Sequence, residues 1–145
     1  MKKFILLTLL ILPFTLFSQE IISQELFKGK IGKDLNIEFY LQIEENGCPN
    51  IYAQAMYKYE NNKDNNWLLL NTVMNYEKGT YTFVEVFNTG VLLLQKKGDQ
   101  LNGIWISPDG KKQFPVQLNK VQINSQKIEK LVDQLDKELY EANDC

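Results

Sequence analysis

The feature that most constrains this chain is the shortness of its connections. From Leu26 to Val121 it passes through segments of strand-like alternation, and the polar stretches between them are brief. The longest, Glu60–Asn66, carries no apolar residue. A parallel crossover takes about a dozen residues or more, so successive strands here must be antiparallel. The hairpin Leu101–Leu118 is the clearest example. Leu101, Gly103 and Trp105 alternate with Asn102, Ile104 and Ile106, the period of a strand. Ser107-Pro108-Asp109-Gly110 then reads as a type I turn, with proline pre-setting φ at the second position and glycine favoured at the fourth. Phe114, Val116 and Leu118 alternate on the way back. Pro115 has no N–H to give a ladder and belongs at an edge, a bulge or a seam.

The remaining segments follow the same rule. Leu26–Ile31 is a short first strand. Leu35, Ile37, Phe39, Leu41 and Ile43 alternate with polar residues and Tyr40, apolar on one face and mostly polar on the other. Ile51–Tyr59, Trp67–Met74, Thr80–Phe87 and Val91–Lys96 follow, separated by Asn-, Gly- and Pro-containing turns. About eight meandering strands close most simply into an up-and-down barrel, which leaves no exposed edge. The alternation places Phe39, Tyr81, Phe83, Phe87, Trp105 and Phe114 inside.

The opposite face is unusually apolar, with Leu68, Leu70, Met74, Val84, Val86, Leu92, Leu94, Ile104 and Ile106. A face meeting water should not be so apolar, so something should cover it. The tail offers a cover. Ile128, Leu131, Val132, Leu135, Leu139 and Tyr140 recur at helical spacing, and Asn124 or Ser125 can cap the start. Asp133 and Lys137 form an acid-first pair one turn apart. A helix from Ser125 to Ala142 would be roughly 27 Å long and would lie against the later strands. The expected architecture is therefore an antiparallel up-and-down β-barrel in residues 19–122, with one C-terminal amphipathic helix, in residues 123–145, packed outside it. The part left bare, around Leu68, Leu70, Val84 and Val86, would be a surface for a protein partner or a second copy.

Residues 1–18 read as a signal peptide. Lys2-Lys3 is a basic start, Phe4–Phe17 is an apolar run containing Pro13, and Ser18 is a small residue at the cut. The run is too short for a spanning helix, which needs about 20 apolar residues. No cysteine follows Ser18, which speaks against a lipid anchor there. Export to the periplasm or the medium, with no transmembrane segment after cleavage, is the expectation. In such a compartment Cys48 and Cys145 can pair. A bridge closing nearly the whole mature chain would contribute about 4–5 kcal/mol by chain entropy.

The 16 basic residues are all lysine, and there is neither arginine nor histidine. Removing Lys2 and Lys3 leaves 14 lysines against 18 acids, a net charge of −4. Bidentate arginine clamps on phosphate or carboxylate are unavailable, and a mildly acidic domain of this kind is a poor nucleic-acid binder. Without histidine there is no Ser-His or Cys-His nucleophile pair and no His-ligated zinc or haem. No phosphate loop or dinucleotide fingerprint is present. No metal or cofactor is expected.

The order of elements resembles a loose group of small secreted bacterial β-barrels described as lipocalin-like or calycin-like. The resemblance rests on Phe27-Lys28-Gly29-Lys30-Ile31-Gly32, on Ile37, Phe39, Leu41 and Ile43, and on Leu101-Asn102-Gly103-Ile104-Trp105 through Pro108-Asp109-Gly110-Lys111-Lys112. It spans Leu26–Val121 and implies a barrel rather than a reaction. True lipocalins carry Gly-x-Trp on the first strand, whereas Gly103-Ile104-Trp105 stands near the end of this barrel. The post-barrel helix is a shared feature of architecture.

Five residues, Glu85, Tyr57, Tyr59, Tyr81 and Trp105, are candidates for ligand binding. Glu85 shares a face with Tyr81, Phe83 and Phe87, so on an interior face it would be a buried or cavity acid, the kind of group that serves general acid–base chemistry. Otherwise it lies sideways or pairs with a lysine. Tyr57 and Tyr59 can donate hydrogen bonds into a cavity, or pack their rings and leave their hydroxyls at the rim. Trp105, like Trp67, can line a pocket or fill the core. Glu60–Asn65 supplies oxygens for calcium, but Lys63 among them and the absence of EF-hand spacing favour a solvated loop. These features point to an exported, non-catalytic binding protein that docks a protein partner, of the inhibitor, immunity or envelope accessory type. The alternative is a carrier of a small hydrophobic ligand in the barrel interior, and an enzyme using Glu85 is a third reading.

Overall fold

A computed structural model describes residues 20–46 and 50–144. The expected signal peptide, the tip of the loop holding Cys48, and Cys145 lie outside the described residues.

Eight strands run in chain order around a closed barrel: β1 (Glu20–Ile31), β2 (Leu35–Glu45), β3 (Ile51–Tyr59), β4 (Leu68–Asn75), β5 (Thr80–Glu85), β6 (Val91–Lys97), β7 (Gln100–Ile106) and β8 (Gln113–Val121). Every neighbouring pair is antiparallel, as the short connections require. β1 closes the barrel by pairing with both β2 and β8. It is longer than its apolar part implies, because its polar lead-in from Glu20 pairs with the end of β2. Pro115 sits one residue beyond the last β1–β8 pair, Ile31 with Val116, where its carbonyl accepts from Gly32 N–H at 2.7 Å.

The interior is filled by side chains. Phe27, Phe39, Leu41, Tyr57, Phe83, Leu92, Leu101 and Leu118 are fully buried in one cluster. Tyr81 stacks on Phe83, Phe83 meets Phe39 edge-on, and Phe39 stacks on Tyr57, a ladder of rings along the bore. Gly29 and Gly103 let the strands approach. A Cβ on Gly103 would stand 1.9 Å from the Leu93 carbonyl oxygen, and one on Gly29 equally close to that of Gln117. Glycine at such points is how a small sheet bends far enough to close.

The helix α1 (Ser125–Asn143) starts where the spacing predicts, with the Asn124 side chain accepting from Lys127 N–H at 2.9 Å. Lys137 pairs with Glu141 along the helix. The helix does not cover the later strands. Its Leu131 and Leu135 are buried against Leu26, Tyr40, Met56 and Trp67, with Leu69, Val121, Ile123 and Leu139 around them. Register explains this. Val121 pairs with Leu26, Leu26 with Tyr40, Tyr40 with Met56 and Met56 with Leu69, giving one outward row across β8, β1, β2, β3 and β4. β8 ends beside β1, and a three-residue link delivers the helix onto that row. Among the described residues no helix is long and apolar enough to cross a membrane.

Leu135 is the deepest helical residue, at 0% exposure. Leu135→Ala should therefore lower unfolding free energy by about 2–5 kcal/mol, read as a shifted urea midpoint. An unchanged midpoint would mean that the helix does not hold this face.

Candidate functional site

Side chains on alternate positions of β3, β5 and β7 point into the bore, and at one end of it they converge on Glu85. The carboxylate is 4% exposed. Its Oε1 accepts from the Tyr57 hydroxyl at 2.6 Å and from Trp105 Nε1–H at 2.8 Å, and its Oε2 accepts from the Thr89 hydroxyl at 2.6 Å. Tyr57 has one proton and gives it to Glu85, so the 3.1 Å contact between the Tyr57 and Tyr59 hydroxyls is donated by Tyr59. Trp105 stacks on Phe114 at the same mouth. Burial, then the Glu85 carboxylate, push the Tyr57 hydroxyl far above the ordinary tyrosine range. Burial raises Tyr59 as well. Both remain neutral donors.

Glu85, Tyr57, Tyr59 and Trp105 are thus brought together, and the partners of Glu85 are neutral rather than lysine. Two partners are not evident from the strand pattern. Thr89 lies in the turn after β5, and Gly90 must be glycine because a Cβ there would stand 2.3 Å from Trp105 Nε1 and 2.7 Å from Glu85 Oε1. The Thr-Gly at the end of that turn is the only local signal. The turn also corrects the expected strand, which ends at Glu85. Glu85 N–H donates to the Gly90 carbonyl at 2.9 Å, and Val86–Asn88 forms a short 3-10-like turn in which Phe87 and Asn88 take positive φ. Phe87 adopts φ 71° and is 94% exposed, outside the interior the alternation assigned to it.

Tyr81 stands apart, toward the other mouth. There Glu25, also inward and 6% exposed, meets Lys96 at 2.6 Å and Lys120 at 2.9 Å. Burial alone would push the Glu25 carboxyl up. The hydrogen bonds and charges of the two lysines outweigh it and hold the carboxyl below its ordinary value. This cluster continues the alternation of Phe27 back to Glu25. A third buried network lies outside the barrel beside α1. Gln42 accepts from Tyr40 and Gln24, and Glu44 accepts from Gln42 and Tyr52.

The expected docking residues divide. Leu70 pairs with Glu85 and lies in the core at 5% exposure, and Leu68, opposite Tyr57, packs against that core. Leu92 and Leu94 are likewise interior. Val84 faces outward, and Val86 belongs to the 3-10 turn. The outward rows are Val73, Thr82, Leu93, Ile104 and Pro115, and beside it Asn71, Val84, Val91, Ile106 and Gln113. Val73 is 73% exposed and Leu93 40%. An open depression of about 570 Å³ lies over Val73, Thr82, Leu93 and Asn102. On β4–β8 the outward residues include no acid, and Lys97 at the rim is the sole base. On β1–β3, by contrast, Lys28, Glu38 and Lys58 form an ion-paired row.

No family model matches the chain, and no curated protein or solved structure matches it.

Two outcomes test the clusters. Tyr57→Phe leaves Glu85 Oε1 short of a donor and should cost about 1–3 kcal/mol in denaturant unfolding, while Tyr76→Phe on the exposed turn should cost nothing measurable. For Glu25, a lowered folded pKa means stability that is complete above its ordinary 4.5 and lost as the pH falls through the lower value. The stability gap between wild type and Glu25→Gln should stay constant from neutral pH down to about 4.5 and narrow below it.

Proposed function

We propose that this is an exported, non-catalytic binding protein, lipocalin-like in its barrel and post-barrel helix, that docks a protein partner on the outer face of β4–β8. The observation that carries the reading is the aliphatic surface around exposed Val73 and Leu93 and half-buried Ile104, left bare because α1 lies on the other side of the barrel. Exposed apolar area of this kind on a closed barrel, rimmed by polar side chains, is characteristic of an interaction site. The amides at its margin favour a protein over a lipid surface, since acyl chains would leave their hydrogen-bonding groups unpaired.

The interior supports docking over ligand carriage. Small barrels of this strand number can fill themselves with side chains, and here Phe27, Phe39, Phe83 and Leu92 occupy the bore. Glu85 supports the non-catalytic reading, because its oxygens are engaged by Tyr57, Trp105 and Thr89.

Native mass spectrometry of the chain purified from its own envelope fraction tests this. Wild type should carry additional protein mass, and Val73→Asp/Leu93→Asp, altering exposed positions only, should lose it while keeping its melting temperature. The same complex in both proteins would sink the proposal. So would a monomer carrying small-molecule mass lost on denaturation, which would favour the carrier.

A further inference from the structure

We infer that the protein partner on the β4–β8 face is a second copy of this chain, meeting it through a two-fold axis near Leu93. The inference rests on the docking reading above and identifies its occupant.

In a two-fold contact the same patch lies on both sides, so every charge in it meets that patch again. The mature chain carries 18 acids and 14 lysines, yet the outward positions of β4–β8 hold no acid and only Lys97, at the rim. The other charges lie on the turns, the helix and β1–β3, or, as Glu85, Lys96 and Lys120, on the inner side of β5, β6 and β8. A face built for a foreign partner commonly uses complementary charge for steering and register. This face presents none, so no partner of opposite sign is specified, and two copies can meet on it without like-charge repulsion.

The polar groups that do occur point the same way. Asn71, Gln95, Gln113 and Gln117 are exposed around the aliphatic centre. A carboxamide is both donor and acceptor. It can pair with its own copy, which neither a carboxylate nor an ammonium can do. An aliphatic centre within a rim of self-complementary amides has the anatomy of an isologous interface.

Geometry places the axis. In the row Val73, Thr82, Leu93, Ile104, Pro115, Leu93 occupies the middle strand. Five strands about 4.8 Å apart and six residues along each give a convex face of about 20 by 20 Å measured along the barrel wall. A standard interface takes about 800 Å² of accessible surface from each partner. The corrugated face reaches that only if the amide rim is buried together with the aliphatic centre, and a rim whose one strand charge is Lys97 permits it.

Sedimentation equilibrium of the purified chain, up to about 100 µM, gives the test. Wild type should have the mass of two chains. Leu93→Glu and Leu93→Lys, at an exposed position, should each have the mass of one, with unchanged melting temperatures. An equimolar mixture of the two should return to two chains, because opposite charges then meet across the axis. A monomeric wild type overturns the inference, as do variants that remain dimeric or a mixture that stays monomeric. The native spectra of wild type and Leu93→Lys then separate the two levels. A foreign protein lost only in the variant leaves docking standing and removes self-pairing. A monomeric wild type with no Leu93-dependent complex removes both.

Discussion

Closure through β1 is the constraint on which the rest of the structure depends. β1 pairs along both edges, with β2 on one side and β8 on the other. Once that ladder is made, each strand has an inside and an outside, and every alternating residue is committed to one of them. The commitment lines Phe27, Phe39, Phe83 and Leu92 along the bore. It also aligns Val121, Leu26, Tyr40, Met56 and Leu69 into the outward row that receives α1. Without the β8–β1 pairing that row would lack its first member, and the helix would not be delivered beside it.

The two mouths of the bore handle buried charge differently. Glu85 is surrounded by neutral donors from three different segments, so it ties β3, the β5–β6 turn and β7 together at one end. Glu25 is surrounded by lysines of β6 and β8 and ties the seam strand to β8 beside it and to the more distant β6 at the other. A buried carboxylate is tolerable only when its oxygens are paired, and both are. Apolar rings fill the bore between the two mouths.

The outer surface is divided as clearly as the interior. One half carries the helix, the ion-paired row of Lys28, Glu38 and Lys58, and the Tyr40–Gln42–Glu44 network. The other half, β4–β8, presents aliphatic and amide side chains. The helix α1 can cover only one side. The position of its row on the barrel therefore decides which apolar surface is left uncovered.

The strands, their antiparallel order and the capped terminal helix were legible in the sequence, because turn residues, period-two alternation and helical spacing are local properties. That Glu85 shares a face with Tyr81 and Phe83 was legible for the same reason, but its meeting with Tyr57 and Trp105 was not, since it needs the register between β3, β5 and β7. Phe87 was not, since the hydrogen bond from Glu85 N–H to Gly90 takes the chain off the ladder two residues before the alternation ends. Leu68 and Leu70 were misplaced because Trp67–Leu70 is an unbroken apolar run with no phase of its own. Pairing with Tyr57 and Glu85 supplied that phase. The seat of the helix and the uncharged face opposite it were likewise decided only in the tertiary structure. Periodicity fixes spacing within a strand, but hydrogen-bond register between distant strands determines which side chains stand next to one another.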